Sequence, residues 1–150
     1  MKIRVPPILQ VLFCGVLSWG ASHLMPSMTF DGSWRLGVAA ASLAVGAVIL
    51  VVSLAAFVRA RTTVNPLAPE EAETLVTDGL YRFSRNPMYL SMAFVLTAEA
   101  FLIGNFAAFM GPLLFIWVMT ETQIKPEERA LQSKFDVAFE AYCRRTRRWI

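Results

Sequence analysis

The sequence predicts an all-α integral membrane protein with about four transmembrane helices and a C-terminal amphipathic helix in the cytoplasm. Apolar residues make up 56% of the 150 residues and charged residues only 17%. The mean hydropathy of +0.52 exceeds that of soluble globular chains. This composition excludes disordered, collagen-like, coiled-coil and disulfide-rich secreted proteins. With two distant cysteines and one histidine, we expect no disulfide framework, metal site or histidine-based triad.

The first two apolar segments run from about Pro7 to Met25 and from about Leu36 to Val58, and the second carries no charge. A helix rises about 1.5 Å per residue and the hydrocarbon core is about 30 Å thick, so both segments are long enough to span it. A signal peptide is the alternative for the first segment, because Lys2 and Arg4 precede it. The length of the run and the lack of a small-x-small cleavage site favour a span.

The third and fourth apolar segments, Met88 to Ile103 and Phe106 to Thr120, are shorter. Only Gly104-Asn105 separates them, which is suitable turn chemistry, so we expect a tight helical hairpin that just reaches the far interface. Glu99 lies inside the third segment, where an ionisable group is costly. Either it lines a pocket or bonds another helix, or it extends to the far interface.

Lysine and arginine are distributed unevenly between the loops. Thirteen of the 14 fall on one predicted side of the membrane: Lys2, Arg4, Arg59, Arg61, Arg82, Arg85, Lys125, Arg129, Lys134, Arg144, Arg145, Arg147 and Arg148. Arg35 alone falls on the other side. The positive-inside rule then places both termini in the cytoplasm, at a bacterial inner membrane or an endoplasmic-reticulum-type membrane. Because the basic residues lie beside apolar runs, the net charge of +3 indicates contact with anionic lipid and no nucleic-acid partner. The contact is expected chiefly through the basic C-terminal residues Arg144, Arg145, Arg147 and Arg148.

We expect a single domain, in which residues 1–58 hold two spans and residues 59–150 hold a polar loop, the hairpin and the last helix. Pro87 fixes Arg85 and Asn86 at the start of the third span, at the membrane surface. A helix N-terminus with free N–H groups there suits a carboxylate or another anion. The alternative is that Arg82 and Arg85 anchor lipid phosphate. The acidic residues of the loop are expected in a solvated helical turn: Glu70, Glu71 and Glu73.

After the fourth span, Pro126 is well placed to open a further helix. Glu127 and Glu128 follow it, and their alternative role is to favour the helix N-terminus electrostatically. Apolar residues then recur at helical spacing along one stripe: Leu131, Phe135, Ala138, Phe139 and Tyr142. We therefore expect this helix to lie along the interface or to pack against the bundle.

These motifs and their order resemble the isoprenylcysteine carboxyl methyltransferase family and the wider group that includes phospholipid N-methyltransferases. The resemblance covers residues 62–150. It is carried by Gly79-x-Tyr81-Arg82-x-x-Arg85-Asn86-Pro87-x-Tyr89-Leu90, the hairpin, Pro126-Glu127-Glu128-x-x-Leu131-x-x-x-Phe135, and Tyr142-x-x-Arg145.

The resemblance implies a membrane methyltransferase that uses S-adenosyl-L-methionine, bound between the hairpin and the C-terminal segment. It implies catalytic roles for Arg85, Tyr89 and Arg145. The implied cofactor-binding residues are Tyr81, Asn86, Pro87, Ser91, Met92, Ala93, Glu127, Glu128 and Tyr142. The sequence departs from the family pattern where Asn86 replaces histidine, Ser91 and Ala93 replace glycines, and Asp136 replaces a glycine after Phe135.

The methyl acceptor is expected to be a lipidic or prenylated molecule that enters from the bilayer. A carboxylate acceptor is ionised at neutral pH and needs no general base. An amine acceptor must lose a proton, and no histidine is expected near the site, so a carboxylate is favoured. Glu127 or Glu128 acting as base would serve the alternative, a phospholipid or amine N-methyltransferase. A non-catalytic scaffold and a sterol-reductase-type enzyme using NADPH are the remaining alternatives, and the latter needs many more spans. The sequence does not indicate an oligomeric state.

Overall fold

The computed structural model describes residues 5–60 and 74–150, and the described residues are almost entirely helical. The helices are α1 (Pro7–Leu24), α2 (Trp34–Ala60), α3 (Pro87–Ile103), α4 (Met110–Met119) and α5 (Lys125–Arg145). No β-strand occurs in these two ranges, and the all-α class is confirmed. The predicted acidic turn of Glu70, Glu71 and Glu73, and the cations Lys2, Arg4 and Arg61, lie outside the described residues.

The membrane-spanning candidates agree with the predicted segments. Two helices, α1 and α2, are long and apolar enough to cross a bilayer, and so is the continuous helical stretch Phe106–Arg145. The shorter apolar helix α3 has 17 residues. The apolar part of the long stretch precedes Lys125, so α5 is its polar extension.

Helix α3 is at the centre of the bundle, in contact with α1, α2 and α4. Small residues bring the backbones together, as expected where lipid provides no hydrophobic drive for association. A Cβ atom on Gly46 of α2 would lie 3.1 Å from the carbonyl oxygen of Ser91. Beside it, the Ser42 hydroxyl donates to the carbonyl of Phe94 over 2.9 Å. The α2–α3 contact is therefore close enough for direct polar bonds.

The predicted hairpin turn is present. Gly104 ends α3 in the left-handed conformation, with φ 72°, which glycine adopts without steric cost. The Asn105 side chain accepts from the N–H of Ala107 (2.8 Å) and donates to the carbonyl of Met25 (2.9 Å). The turn is thereby fixed to the end of α1.

Glu99 contacts a neighbouring helix. Its carboxylate lies against Gly15 of α1, with Oε2 2.9 Å from the point that a Cβ on Gly15 would occupy. This contact agrees with the prediction that Glu99 meets another helix.

Pro126 lies in the first turn of α5, as predicted, but α5 does not begin after a break in the chain. Helix α4 continues into α5 through a π-helical turn, Thr120–Ile124. A proline inside an α-helix clashes with the carbonyl four residues earlier and donates no hydrogen bond. The wider turn just before Pro126 lets the helix continue past it.

The predicted apolar stripe of α5 is interrupted at Asp136, where φ is 41° and ψ is −113°. Phe139 and Tyr142 are buried, whereas Ala138, which the stripe included, is exposed. A positive φ within a helix redirects the chain, so a stripe drawn at constant helical spacing does not continue across it.

Replacing Asp136 with glycine is expected to stabilise the protein by about 1 kcal/mol. The left-handed conformation costs a residue with a Cβ roughly 1–2 kcal/mol, and the extra chain entropy of glycine offsets part of the gain. The measurement is thermal unfolding in detergent. The control is Ala141→Gly in the same helix, which should destabilise by about 1 kcal/mol. If Asp136→Gly destabilises as much as the control does, residue 136 is not strained.

Candidate functional site

The site begins at a short 3₁₀ turn, Gly79–Arg82, which leads into α3. Gly79 has φ 61°, and this turn directs Tyr81 inward. The Tyr81 ring packs edge-on against Phe57 of α2, with ring centroids 5.4 Å apart. Its carbonyl accepts a hydrogen bond of 2.7 Å from the hydroxyl of Tyr142. Burial raises the pKa of the Tyr81 hydroxyl, so this residue serves as a neutral packing contact between α2, the turn and α5.

Arg85 and Arg148 enclose the carboxylate of Glu128. Arg85 donates to Oε1 from Nη2 over 2.8 Å and from Nε over 3.2 Å. Arg148 donates to Oε2 from Nη2 over 2.6 Å and to Oε1 from Nε over 3.0 Å. The Arg85 and Glu128 side chains are only 13% and 18% exposed. This is a two-point arginine–carboxylate geometry that lysine does not reproduce.

Two opposing effects act on the pKa of Glu128. Burial raises it, but the hydrogen bonds and charges of Arg148 and Arg85 outweigh burial, and the pKa of Glu128 lies below its usual value. The carboxylate is therefore ionised at neutral pH and carries a full negative charge between the two guanidinium groups.

The last five residues fold back over the start of α3. Arg85 donates from Nη1 to the carbonyl of Thr146 over 2.5 Å and from its backbone N–H to the carbonyl of Arg147 over 2.9 Å. The Asn86 side chain donates to the carbonyl of Arg148 over 3.0 Å. The predicted pair of Arg85 and Asn86 is thus located where expected, and both side chains bond the C-terminal segment.

Glu127 points away from Glu128 and towards α3. Its Oε1 accepts from the hydroxyl of Tyr89 and from Nε2 of Gln123, each over 2.6 Å. The two acidic residues therefore have different surroundings: Glu128 lies between cations, and Glu127 lies between neutral donors. Gln123 was not identified from the sequence. Its spacing of one turn before Glu127 is the only signal that could have found it.

The remaining predicted residues lie around this cluster. Pro87 is buried in the first turn of α3. Ser91 and Ala93 are buried in helix contacts, and Met92 packs against the apolar core. Arg145 is exposed, with its guanidinium carbon 6.0 Å from the Tyr142 ring centroid. The structure thus joins the Arg–Asn pair, Tyr89 and the acidic pair, and does not bring Arg145 to them.

The sequence assigns lipid contact to most of the basic C-terminal residues, and the structure gives two of them acidic partners. Arg148 pairs with Glu128, as described above. Arg144 pairs with Glu140 over 3.2 Å on the surface of α5. In each case an acidic residue lies within reach and competes with lipid for the charge. Sequence position alone did not reveal these partners.

An apolar groove of about 90 Å³ adjoins the cluster. Its apolar side chains come from α2, the 3₁₀ turn, α3 and the C-terminal segment: Ile49, Leu80, Phe83, Pro87, Leu90, Trp149 and Ile150. The indole N–H of Trp149 donates to the Thr120 hydroxyl over 3.0 Å, which fixes that wall. A charged cluster and an apolar groove therefore lie side by side.

Comparisons with known proteins match the chain to a family and to two relatives. The family model described as phospholipid methyltransferase matches residues 34–137. An uncharacterized protein of Haemophilus influenzae is 40% identical over 63 residues, which are 42% of this chain and all of that protein. The protein-S-isoprenylcysteine O-methyltransferase of Schizosaccharomyces pombe is 34% identical over 68 residues, 45% of this chain and 29% of the yeast enzyme. No solved structure matches the chain significantly.

Proposed function

Since this chain belongs to the phospholipid methyltransferase family, we propose that it transfers a methyl group from S-adenosyl-L-methionine to the carboxylate of a lipidic or prenylated acceptor. The observation that carries the proposal is the cluster of two guanidinium groups and two carboxylates beside an apolar groove. Polar groups suit a zwitterionic cofactor, and the groove suits hydrocarbon. The thirteen-to-one distribution of cations supports an orientation with both termini, and hence this cluster, in the cytoplasm.

The residues of the cluster fit the polar part of the cofactor. Arg85 and Arg148 present planar donors that match a carboxylate. Glu127 and Glu128 can accept from an ammonium group or from ribose hydroxyls, and Asn86 adds an amide. When bound, S-adenosyl-L-methionine supplies an electrophilic methyl group on a sulfonium. The reaction at such a centre is an in-line displacement, for which the protein provides proximity and exclusion of water.

The acceptor is proposed to enter sideways from the bilayer. The groove next to Pro87 and Leu90 is large enough for a few methylene groups and lies beside the charged cluster. A lipid chain in the groove would therefore place its headgroup near Arg85. The name of the S. pombe relative indicates an S-prenylated cysteine carboxylate for that enzyme. A phospholipid amine is the second candidate. The description of the family model favours it, and Glu127 is a carboxylate that could take up the amine proton.

The first test is cofactor binding by calorimetry with purified protein in detergent. The double variant Glu127→Gln, Glu128→Gln should bind S-adenosyl-L-methionine at least tenfold more weakly, because a charge-assisted hydrogen bond contributes roughly 1.5–3 kcal/mol. The matched control is Glu121→Gln, Glu140→Gln, two exposed carboxylates that pair within their own helix. Equal affinity in the two double variants would remove the acidic pair from the site.

The acceptor is tested with labelled cofactor and two lipids offered separately, an S-prenylated cysteine and phosphatidylethanolamine. Mild alkali hydrolyses a methyl ester and leaves an N-methyl amine intact. Alkali-labile label on the prenylated cysteine is the expected result. Stable label on phosphatidylethanolamine would replace the carboxylate with the second candidate, and label on neither lipid would contradict both.

A further inference from the structure

We infer that Gln123 is a positioning residue, which holds the carboxylate of Glu127 in the orientation that cofactor binding requires. The inference rests on the proposed function, since it assigns to Gln123 a role in the same site. Neither the motifs nor the family resemblance includes Gln123. Three features carry the inference: the π-helical turn, the contacts of the amide, and its burial.

The π-helical turn, Thr120–Ile124, determines where Gln123 points. A π turn adds a residue to the helix and so rotates everything after it by about 100° around the axis. The rotation lets Gln123 face the bundle beside Ile124, and Glu127 follows one turn later on the same side. Such turns occur often at functional sites. Here the turn joins the membrane part of the helix to its polar extension.

The contacts of Gln123 orient Glu127. The amide Nε2 and the Tyr89 hydroxyl both donate to Oε1 of Glu127, each over 2.6 Å. Two donors hold this oxygen from two sides, and the donors come from different helical segments. The direction of Glu127 therefore depends on both α3 and the π turn.

The burial of Gln123 argues against a role in packing alone. The side chain is 1% exposed, and its neighbour Ile124 belongs to the apolar core with Tyr89 and Met119. An amide in such surroundings is unfavourable unless it makes its hydrogen bonds, whereas methionine would fill the same space at no polar cost. A residue kept only for packing would have no need of the amide group.

The test is a double-mutant cycle on cofactor affinity, measured by calorimetry. Gln123→Met and Glu127→Gln should each weaken binding of S-adenosyl-L-methionine about fivefold to tenfold. Together they should weaken it no more than Glu127→Gln alone, because Gln123 acts through Glu127. If Gln123 had only a structural role, independent of Glu127, the two fold-losses in affinity would multiply in the double variant. Gln132→Met, an exposed amide on α5, is the matched control and should bind normally.

A reciprocal exchange keeps the inference testable if Gln123→Met does not fold. In Gln123→Glu, two carboxylates face each other, and stability and binding should both fall. Adding Glu127→Gln restores one amide–carboxylate pair and should restore thermal stability. Binding of S-adenosyl-L-methionine should remain at least fivefold weaker than in wild type, because the carboxylate then lies at position 123, one turn before its native position. Restored binding in the exchanged variant would overturn the inference. Wild-type protein that binds no cofactor would instead contradict the proposed function.

Discussion

Arg85→Lys is expected to lower methyl transfer in lipid vesicles roughly 30- to 100-fold. The Arg85 guanidinium makes two bonds to Glu128 and further bonds to the carbonyls of Thr146 and Cys143. Lysine is a point charge on a flexible stem, so it keeps at most one of these directions. Losing one or more charge-assisted bonds at about 1.5–3 kcal/mol each corresponds to a rate loss of this size.

The matched control is Arg82→Lys, three residues earlier, at the end of the 3₁₀ turn that leads into α3. Arg82 is exposed, and its backbone carbonyl, not its side chain, accepts from the hydroxyl of Thr146 over 3.4 Å. Its turnover should stay within a factor of two of wild type. The lipid-phosphate interpretation fits the exposed Arg82 and does not fit Arg85, which is half-buried among polar partners. Near-normal turnover in both variants would show that Arg85 has no part in the reaction.

The spans were predictable because membrane insertion depends on composition over a window rather than on single contacts. The run without charge around Gly46 and the Gly104-Asn105 turn each correspond to an observed helix or turn. The position of Arg85 and Asn86 followed from Pro87, which has no N–H to donate and is therefore favoured in the first turn of a helix. Local stereochemistry was enough for these features.

The partners of the site residues were not predictable, since they depend on helix rotation and on chain segments distant in sequence. Arg148 reaches Glu128 because the chain turns back after α5. Glu127 and Glu128 face different partners because adjacent positions on a helix differ by about 100°. Gln123 faces inward because of a π turn, which leaves no clear signal in the sequence. Asp136 is a partial exception. The sequence showed that it replaces a glycine of the family pattern, but it did not show the positive φ.

Gly111→Ala is expected to destabilise the protein by about 2–3 kcal/mol, measured by thermal unfolding in detergent. Gly111 of α4 lies directly against α1. A Cβ there would overlap the hydroxyl of Ser18 and would lie 2.9 Å from the backbone carbonyl oxygen of Cys14. Overfilling a packed contact costs roughly 1–3 kcal/mol, and a backbone atom cannot move aside as a side chain does. We therefore expect a value near the upper end of that range.

The control is Gly20→Ala on α1, where a Cβ meets nothing within 4 Å and alanine is the better helix former, so stability should rise slightly. Adding Ser18→Ala to Gly111→Ala removes the overlapping serine hydroxyl without a cost in helix propensity and leaves the Cys14 carbonyl in place. This pair should recover part of the loss, but not all of it. Full recovery would assign the strain to the serine hydroxyl alone. If Gly111→Ala unfolds at the wild-type temperature, α1 and α4 do not approach as closely as described.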